Sequence, residues 1–319
     1  LSYQNKIERK QFWKLIIAVT AILTLSYNAF SYDLFNYIFD AKILVHYHQN
    51  PYLHKALDFA SDPMLSFMRW THRAYPYGPL WLAITIPLSF IGANIFMITF
   101  FIFKISIAGF FLGTLFFLEK ISYALNIKNK LFPVVLFALN PLTIIEFLVS
   151  SHNDIAMMFF AAMGMYFLLQ KKRVKSFIAI ALSALVKFTT GVLLFPLIIS
   201  YFYQFRNKEL NPQILINACV ISSFLGFIYL ISRVEIQPWY FLWVLPFIGY
   251  MKANRFILSI TLLFSIGLVL TYLPQIYINN TVSTASLKLY LLISVVPAGI
   301  AIGVLAPLLN EVKAKFARA

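Results

Sequence analysis

The sequence predicts an all-α polytopic membrane protein, and three observations support that fold class. Of the 319 residues, 61% are hydrophobic and only 12% are charged, whereas a soluble domain typically has about 45–50% and about 25%. Apolar stretches near the length that spans a bilayer recur along the chain. The single cysteine, Cys219, excludes a disulfide framework and a cysteine-based zinc site. An ordinary soluble enzyme, a disordered protein and a nucleic-acid-binding domain are therefore excluded.

The net charge of +15 is a signal of membrane orientation. Eighteen of the 26 lysines and arginines fall in six clusters that separate the apolar runs. Loops rich in lysine and arginine stay on the cytoplasmic side, so we expect a cytoplasmic N-terminus and outward-facing acidic loops. The excess of basic residues therefore indicates that the protein's partner is the lipid bilayer and not nucleic acid. The clusters lie at 6–14, 120–130, 171–175, 206–208, 252–255 and 313–318.

The predicted elements form a single domain, 1–319, with about 10–11 membrane helices. A first span, 12–30, leads outward to a long extracytoplasmic loop, 31–78, in which we expect amphipathic helices that rest on the membrane. Between 79 and 118 an odd number of crossings is required. We expect one full crossing near 95–118 and a half-helix or interfacial element at 79–92. The further spans are 131–149, 154–170, 175–187, 188–205, 212–232, 238–251, 256–273 and 288–309.

The first polar segment on the outer side directly follows the first span. Asp33, Tyr37 and Asp40 are spaced i, i+4, i+7, so one helix face would carry both carboxylates. A carboxylate held among apolar residues at the interface loses water, which moves its pKa toward the range of a general base. The alternative is structural: Asp33 caps the helix, and Asp40 pairs with Lys42 or a nearby arginine.

The rest of the outer loop alternates turn residues with aromatic and basic residues. Arg69 and Arg73 precede a Tyr75-Pro76-Tyr77-Gly78 motif. Aromatic rings stack on sugar rings, although an aromatic belt at the membrane interface would have the same composition. His46 and His48 form a His-x-His pair, but no third ligand stands at suitable spacing, so we expect no metal site.

Two further polar groups stand at the outer ends of later spans. Asn140-Pro141 interrupts one span, and His152-Asn153-Asp154 opens the next; a helix cap explains one polar residue but not three in a row. Lys187 lies in an apolar stretch, where a lysine costs about 2.5–3.5 kcal/mol unless it snorkels or finds a partner. The ammonium group of Lys187 could also bind the phosphate of a lipid-linked substrate. A Gln237-Pro238-Trp239-Tyr240 motif follows Glu235.

In this order, the motifs resemble those of the GT-C-type, polyprenyl-phosphate-sugar-dependent glycosyltransferases, and in particular the bacterial polyprenol-phosphate-mannose-dependent α-mannosyltransferases. The similarity covers about residues 30–250. It implies that Asp33 is the catalytic carboxylate. Many members of that group have a second acid close behind the first, but Phe35 stands two residues after Asp33, so we expect no cofactor beyond the lipid-linked donor; a divalent metal is the alternative. The substrate site would be lined by Asp40, Tyr75, Tyr77, His152, Asn153, Asp154, Gln237, Trp239 and Tyr240, and Lys187, Arg69 and Arg73 would bind phosphate.

The resemblance implies an inverting transfer of a sugar, mannose in the first instance, from a polyprenyl phosphate to a glycan or lipid acceptor at the outer face of the membrane. A phosphate is a good leaving group, so a single base suffices, unlike the two carboxylates of glycoside hydrolases. A transporter or flippase for a lipid-linked sugar would also use broken helices and an intramembrane lysine. However, it needs polar groups in both membrane halves. A structural subunit of an envelope complex is a third possibility.

Overall fold

The computed structural model describes residues 8–206, 210–251 and 255–278, together with 287–288, 290, 292–295, 297–299 and 301. Within these residues the chain is helical, with one isolated β-bridge and no strand. Three helices, Phe96–Ala124, Pro212–Ile231 and Phe256–Pro274, are long and apolar enough to cross a membrane. The all-α polytopic membrane fold is thus confirmed, while the number of crossings and the single-domain boundary stay predictions. Most of the expected last span, 288–309, lies outside the described residues.

The helices follow the predicted spans closely. Short apolar helices or 3-10 turns flank the longer ones, and Ile144–Val149 forms a π-helical segment. The order is α1 Arg9–Leu25, α2 Asp33–Val45, α3 Pro79–Ile91, α4 Phe96–Ala124, α5 Phe132–Ala138, α6 Pro141–Thr143, α7 Asp154–Leu169, α8 Arg173–Val186, α9 Leu194–Phe205, α10 Pro212–Ile231, α11 Leu245–Ile248, α12 Arg255–Leu270 and α13 Tyr272–Ile278. Helix α7 packs on both α4 and α8 and forms the centre of the bundle.

The 79–118 region contains one short helix and one long helix. Helix α3 has 13 residues, about 20 Å at 1.5 Å per residue, which is shorter than the roughly 30 Å of a bilayer core. Helix α4 has 29 residues and extends to Ala124, beyond the predicted end at 118. The extension is possible because Glu119 is neutralised inside the protein. Its carboxylate pairs with Arg9 at 2.6 Å and accepts a hydrogen bond from Trp13 at 3.2 Å.

The predicted interruption at Asn140-Pro141 is present. Helix α5 and the segment Pro141–Val149 meet at an angle of 53°. The Asn140 side chain accepts a hydrogen bond from the Leu142 backbone N–H at 3.0 Å and donates one to Ser265 at 3.0 Å. These contacts satisfy polar groups that the break would otherwise leave unpaired in an apolar environment.

Lys104 determines how α1 ends. This lysine is buried on α4, and its ammonium donates hydrogen bonds to the backbone carbonyls of Leu23 and Ser26 at 2.9 and 2.8 Å. A helix leaves its last four carbonyls without helical partners, and Lys104 provides donors for two carbonyls at this end from a neighbouring helix. The end of α1, and with it the start of the turn that leads to α2, is therefore fixed from α4.

The 31–78 loop differs from the prediction in one respect. Helix α2 is buried along nearly its whole length, because α3 and α4 pack against it, and does not rest on the membrane as an amphipathic helix. Phe35, for example, lies among the rings of Phe96 and Phe100. Lys42 pairs with Asp62 at 2.6 Å, so the structural alternative in which Lys42 neutralises Asp40 does not hold.

The Tyr75–Gly78 motif is tied to the C-terminal end of α8. The Gly78 backbone N–H donates to the carbonyl of Val186 at 3.0 Å, and a Cβ atom at Gly78 would lie only 2.1 Å from the carbonyl oxygen of Leu185. Only glycine permits this approach. As a result, the Lys187 ammonium lies 5.5 Å from the centroid of the Tyr77 ring.

We expect Gly78→Ala to separate the Tyr75–Gly78 motif from α8 and to destabilise the protein by about 1–3 kcal/mol, the usual cost of overpacking. The measurement is the thermal melting midpoint of the purified protein. Gly109→Ala is the matched control, because a Cβ atom at this helical position meets no atom within 4 Å. Its midpoint should stay the same or rise slightly. Equal effects of the two substitutions would contradict the close contact.

Candidate active site

Two strained turns bring distant parts of the chain together. Phe30, just before α2, and Ser151, just before α7, have left-handed backbone φ values of 68° and 58°, which are unusual for residues other than glycine. The turns are also bonded to each other, since the Ser150 hydroxyl donates to the carbonyl of Ala29 at 2.9 Å. Strained backbone that the surrounding structure holds in place is frequent at functional sites.

Asp33, His152 and Glu146 meet at these turns. The His152 ring is fully buried, with Nε2 at 3.7 Å from Oδ2 of Asp33 and Nδ1 at 2.8 Å from Oε2 of Glu146. Neither ring nitrogen has the alignment of a directed hydrogen bond, so the contacts are those of neighbouring charges. Trp239 stacks on the ring, with centroids 4.2 Å apart.

The charge of His152 depends on these carboxylates. Burial by itself disfavours the imidazolium, but the contact with Glu146 and the charges of Glu146, Asp33 and Asp154 outweigh it and raise the pKa of His152 above its usual value. His152 thus lies between two carboxylates, and both favour its protonated form.

The next two residues make tertiary contacts instead of the helix-capping bonds that were the structural alternative. Asn153 stands at the N-cap of α7 but makes no side-chain capping bond; its Oδ1 accepts from the hydroxyl of Tyr37 at 3.2 Å. Asp154 accepts from Lys187 at 2.6 Å and from Nε1 of Trp243 at 2.7 Å. The His152-Asn153-Asp154 motif thus connects α7 to α2, to the end of α8 and to the 238–243 turn.

Asp40 lies about two helical turns beyond Asp33 on α2. Its carboxyl group is buried, and burial together with the negative charge of Asp33 raises the pKa of Asp40 to about 8, against the opposing charge of Arg73. Tyr77 packs edge-on against Tyr75 and against Tyr37, with centroids 5.4 and 5.1 Å apart. Asp40 is therefore largely protonated at neutral pH.

A polar hollow of about 90 Å³ opens beside the Asp33 carboxylate. It brings together four residues that the sequence pointed to, namely Asp33, Arg69, Gln237 and Trp239. The other candidates are not among the residues that line it: Tyr240 packs on Trp239 and Trp243, and Lys187 is held by Asp154. The remaining lining residues are Phe30, Ser31, Tyr32, Trp70, Glu235, Tyr272 and Lys288.

Three residues of the site were not assigned a role from the sequence. Tyr272 donates to both carboxylate oxygens of Glu146, at 3.0 and 3.2 Å, and Lys288 pairs with Glu235 at 2.8 Å. Tyr272 and Lys288 lie beyond the last motif and carry no local signal. Glu146 did carry one, because it is an acid in an apolar span between Asn140-Pro141 and His152.

A large apolar groove adjoins the polar hollow. It encloses about 1000 Å³ between α10, the 238–248 segment and α12, and Glu235 lines both the groove and the hollow. Its walls are aliphatic and aromatic, and include Val220, Phe224, Ile228, Phe241, Ile260 and Phe264. Among the described residues, no group of three histidine, cysteine or acidic side chains is placed to hold a metal ion.

These features define the class of protein: a helical membrane protein with a buried carboxylate–imidazole centre beside an apolar groove. The chain belongs to the MptA_B family, whose model, described as alpha-(1->6)-mannopyranosyltransferase, N-terminal domain, matches residues 1–203. The protein is thus a mannosyltransferase, and the resemblance found in the sequence is confirmed. No curated protein and no solved structure matches the chain.

The raised pKa of Asp40 predicts how stability varies with pH. Because the folded protein holds this proton up to about pH 8 and an unfolded chain releases it near pH 4, the free energy of unfolding should decrease as pH rises between these values. Asp40→Asn keeps the site neutral, so its melting midpoint should decrease less over pH 5–8 than that of the wild type. Parallel melting curves for the two proteins would contradict a buried, protonated Asp40.

Proposed function

We propose that this mannosyltransferase transfers mannose, with inversion, from a polyprenyl-phosphate donor to a hydroxyl of a glycan or lipid acceptor at the outer face of the plasma membrane. The observation that carries the proposal is that Glu235 lines both the polar hollow and the apolar groove. The polar lining that contains Asp33 suits the hydroxyls of a sugar and its phosphate by its chemistry, and the apolar walls of the groove suit an isoprenoid chain. No cofactor other than the donor is required.

In the proposed step, Asp33 acts as the general base. The acceptor oxygen attacks the anomeric carbon from the side opposite to the phosphate while its proton passes to Asp33. The bond between the anomeric carbon and the phosphate oxygen breaks, and its electron pair leaves with the polyprenyl phosphate. The phosphate needs no protonation, so one carboxylate is enough, and direct displacement inverts the anomeric configuration.

The cations around the hollow are suited to a phosphate. Arg69 and Lys288 both line it, and we assign the direct phosphate contact to Arg69. Arg73 lies 5.0 Å from the ring centroid of Trp70, and Lys187 is paired with Asp154. These two cations would contribute positive potential from behind the wall and would not touch the donor in this arrangement.

The assigned substrate residues fall into two groups in this proposal. Gln237 and Trp239 line the hollow and would contact the sugar directly. The others would act through the shape of the wall: Asp40, Tyr75, Tyr77, His152, Asn153, Asp154 and Tyr240. Membership in a mannosyltransferase family favours transfer over transport or flipping of a lipid-linked sugar.

Asp33→Asn should abolish mannosyl transfer while the protein remains folded, because the amide cannot accept the acceptor's proton. The assay uses purified protein, a labelled polyprenyl-phosphate mannose and a set of glycan and lipid acceptors. Asp58→Asn is the matched control, since Asp58 is an acid of the same outer loop whose side chain is 38% exposed and pairs with His54. Near-normal turnover by Asp33→Asn would refute the assignment of the base.

The groove assignment has a separate test. Ile228→Trp places a large ring in the groove wall, so KM should rise several-fold for a long-chain polyprenyl donor and change little for a short-chain analogue. Ile105→Trp is the control, because Ile105 is exposed on α4 and does not line the groove. The same change in KM for both donors would contradict the assignment of the isoprenoid chain to this groove.

A further inference from the structure

The carboxylate of Glu146 takes no part in the proposed transfer step, yet it is fully buried beside it. It lies in the π-helical segment Ile144–Val149, and single turns of π-helix occur frequently at functional sites. Within the described part of the chain, its ion-pair partner is His152, and no lysine or arginine neutralises it. Burial of a carboxylate that no lysine or arginine neutralises costs folding free energy. A purely structural role would therefore favour a neutral side chain at this position.

Glu146 holds His152 at two points. Its backbone carbonyl accepts a hydrogen bond from the His152 backbone N–H at 2.9 Å, and its carboxylate meets Nδ1 of the same residue at 2.8 Å. Trp239 covers one face of the ring. The ring is therefore fixed with its Nε2 edge toward Asp33, 3.7 Å away.

We propose that Glu146 is a positioning residue: it holds His152 in its protonated form with the Nε2 edge toward Asp33, and this edge orients the Asp33 carboxylate that receives the acceptor's proton. The inference rests on the proposed function. In the transfer step the acceptor proton moves to Asp33 and is later released to water. His152 keeps its own proton throughout, and Glu146 exchanges none.

Three carboxylates face His152, one from each of three elements that pack around it. Asp33 comes from α2, Glu146 from the π-helical segment and Asp154 from the first turn of α7. Asp154 is already neutralised by Lys187. Apart from Asp33, Glu146 is therefore the main negative charge that can balance a protonated His152. The other charged or titratable groups are one contact further away: Tyr272 through Glu146, and Arg69, Glu235 and Lys288 around the hollow.

The first test is the pH dependence of kcat/KM for mannosyl transfer. Loss of the His152 proton gives the alkaline limb. Glu146→Gln removes the charge that raises the pKa of His152, so this limb should move to lower pH by about 1–3 units. Glu146→Asp keeps the charge and should restore the position of the limb even where the rate is lower. A reduced rate with an unmoved limb in Glu146→Gln would mean a structural role and would overturn the inference.

Glu119→Gln is the matched control for this profile. Glu119 is also a buried carboxylate, but it pairs with Arg9 and Trp13 and makes no contact with the site. Its variant should keep the wild-type alkaline limb. A shift as large as that of Glu146→Gln would show that any lost buried charge moves the profile, which would also overturn the inference.

A second measurement does not depend on activity. In protein with labelled histidine, the His152 resonance, identified by its loss in His152→Gln, should titrate above the usual imidazole value of about 6.5 and at a lower pH in Glu146→Gln. An equal midpoint in both proteins overturns the inference, whether or not mannose is transferred. If the midpoint is lowered in Glu146→Gln but the wild-type protein transfers no mannose, the result supports the charge coupling and contradicts the proposed function. If Glu146→Gln does not fold, a wild-type midpoint below 6.5 overturns the inference.

Discussion

The need to neutralise buried carboxylates governs the arrangement of the site. Asp33, Glu146 and Asp154 lie within a few ångströms of the His152 ring or of its backbone neighbours, and all are nearly or fully buried. In an environment of low dielectric constant, isolated charges of this kind are not tolerated. Each carboxylate is therefore matched by His152, by Lys187 or by hydroxyl and indole donors. The same contacts join five separate parts of the chain, so neutralising the charges also fixes the fold locally.

Interrupted helices make this neutralisation possible. In a continuous α-helix from 131 to 170, the side chains of Glu146, His152 and Asp154 would follow the regular helical spacing. Their backbone N–H and C=O groups would all be taken up by helical hydrogen bonds. The break at Asn140, the π-helical segment and the left-handed turn at Ser151 instead direct Glu146 and His152 toward each other. Irregular backbone at membrane depth requires polar partners within the protein. Here those partners come from Ser265 and from the turn after α1.

The sequence predicted the elements well because helix length, turn residues and charge placement are local signals. The helices α3, α7, α8 and α10 begin and end within a few residues of the predicted boundaries, and the break at Asn140-Pro141 was predicted. The end of α4 was missed because the partner that neutralises Glu119 is Arg9, 110 residues away. Burial of α2 was missed for a similar reason, since it depends on which helices cover it.

The site was only partly predictable, and the boundary of the family match shows why. Asp33 and the charged groups around it, as far as Lys187, all lie within residues 1–203, whereas the described lining of the apolar groove lies after that range. Three aromatic residues from beyond that range contact the charged centre: Trp239 stacks on His152, Trp243 donates to Asp154 and Tyr272 donates to Glu146. Single tryptophans and tyrosines in apolar helices carry no signal of such pairing. Under the proposed function, the first part performs the chemistry and the second recognises the lipid. Changes in the groove can then alter the preferred donor chain without disturbing the base, provided that these three aromatic contacts are kept.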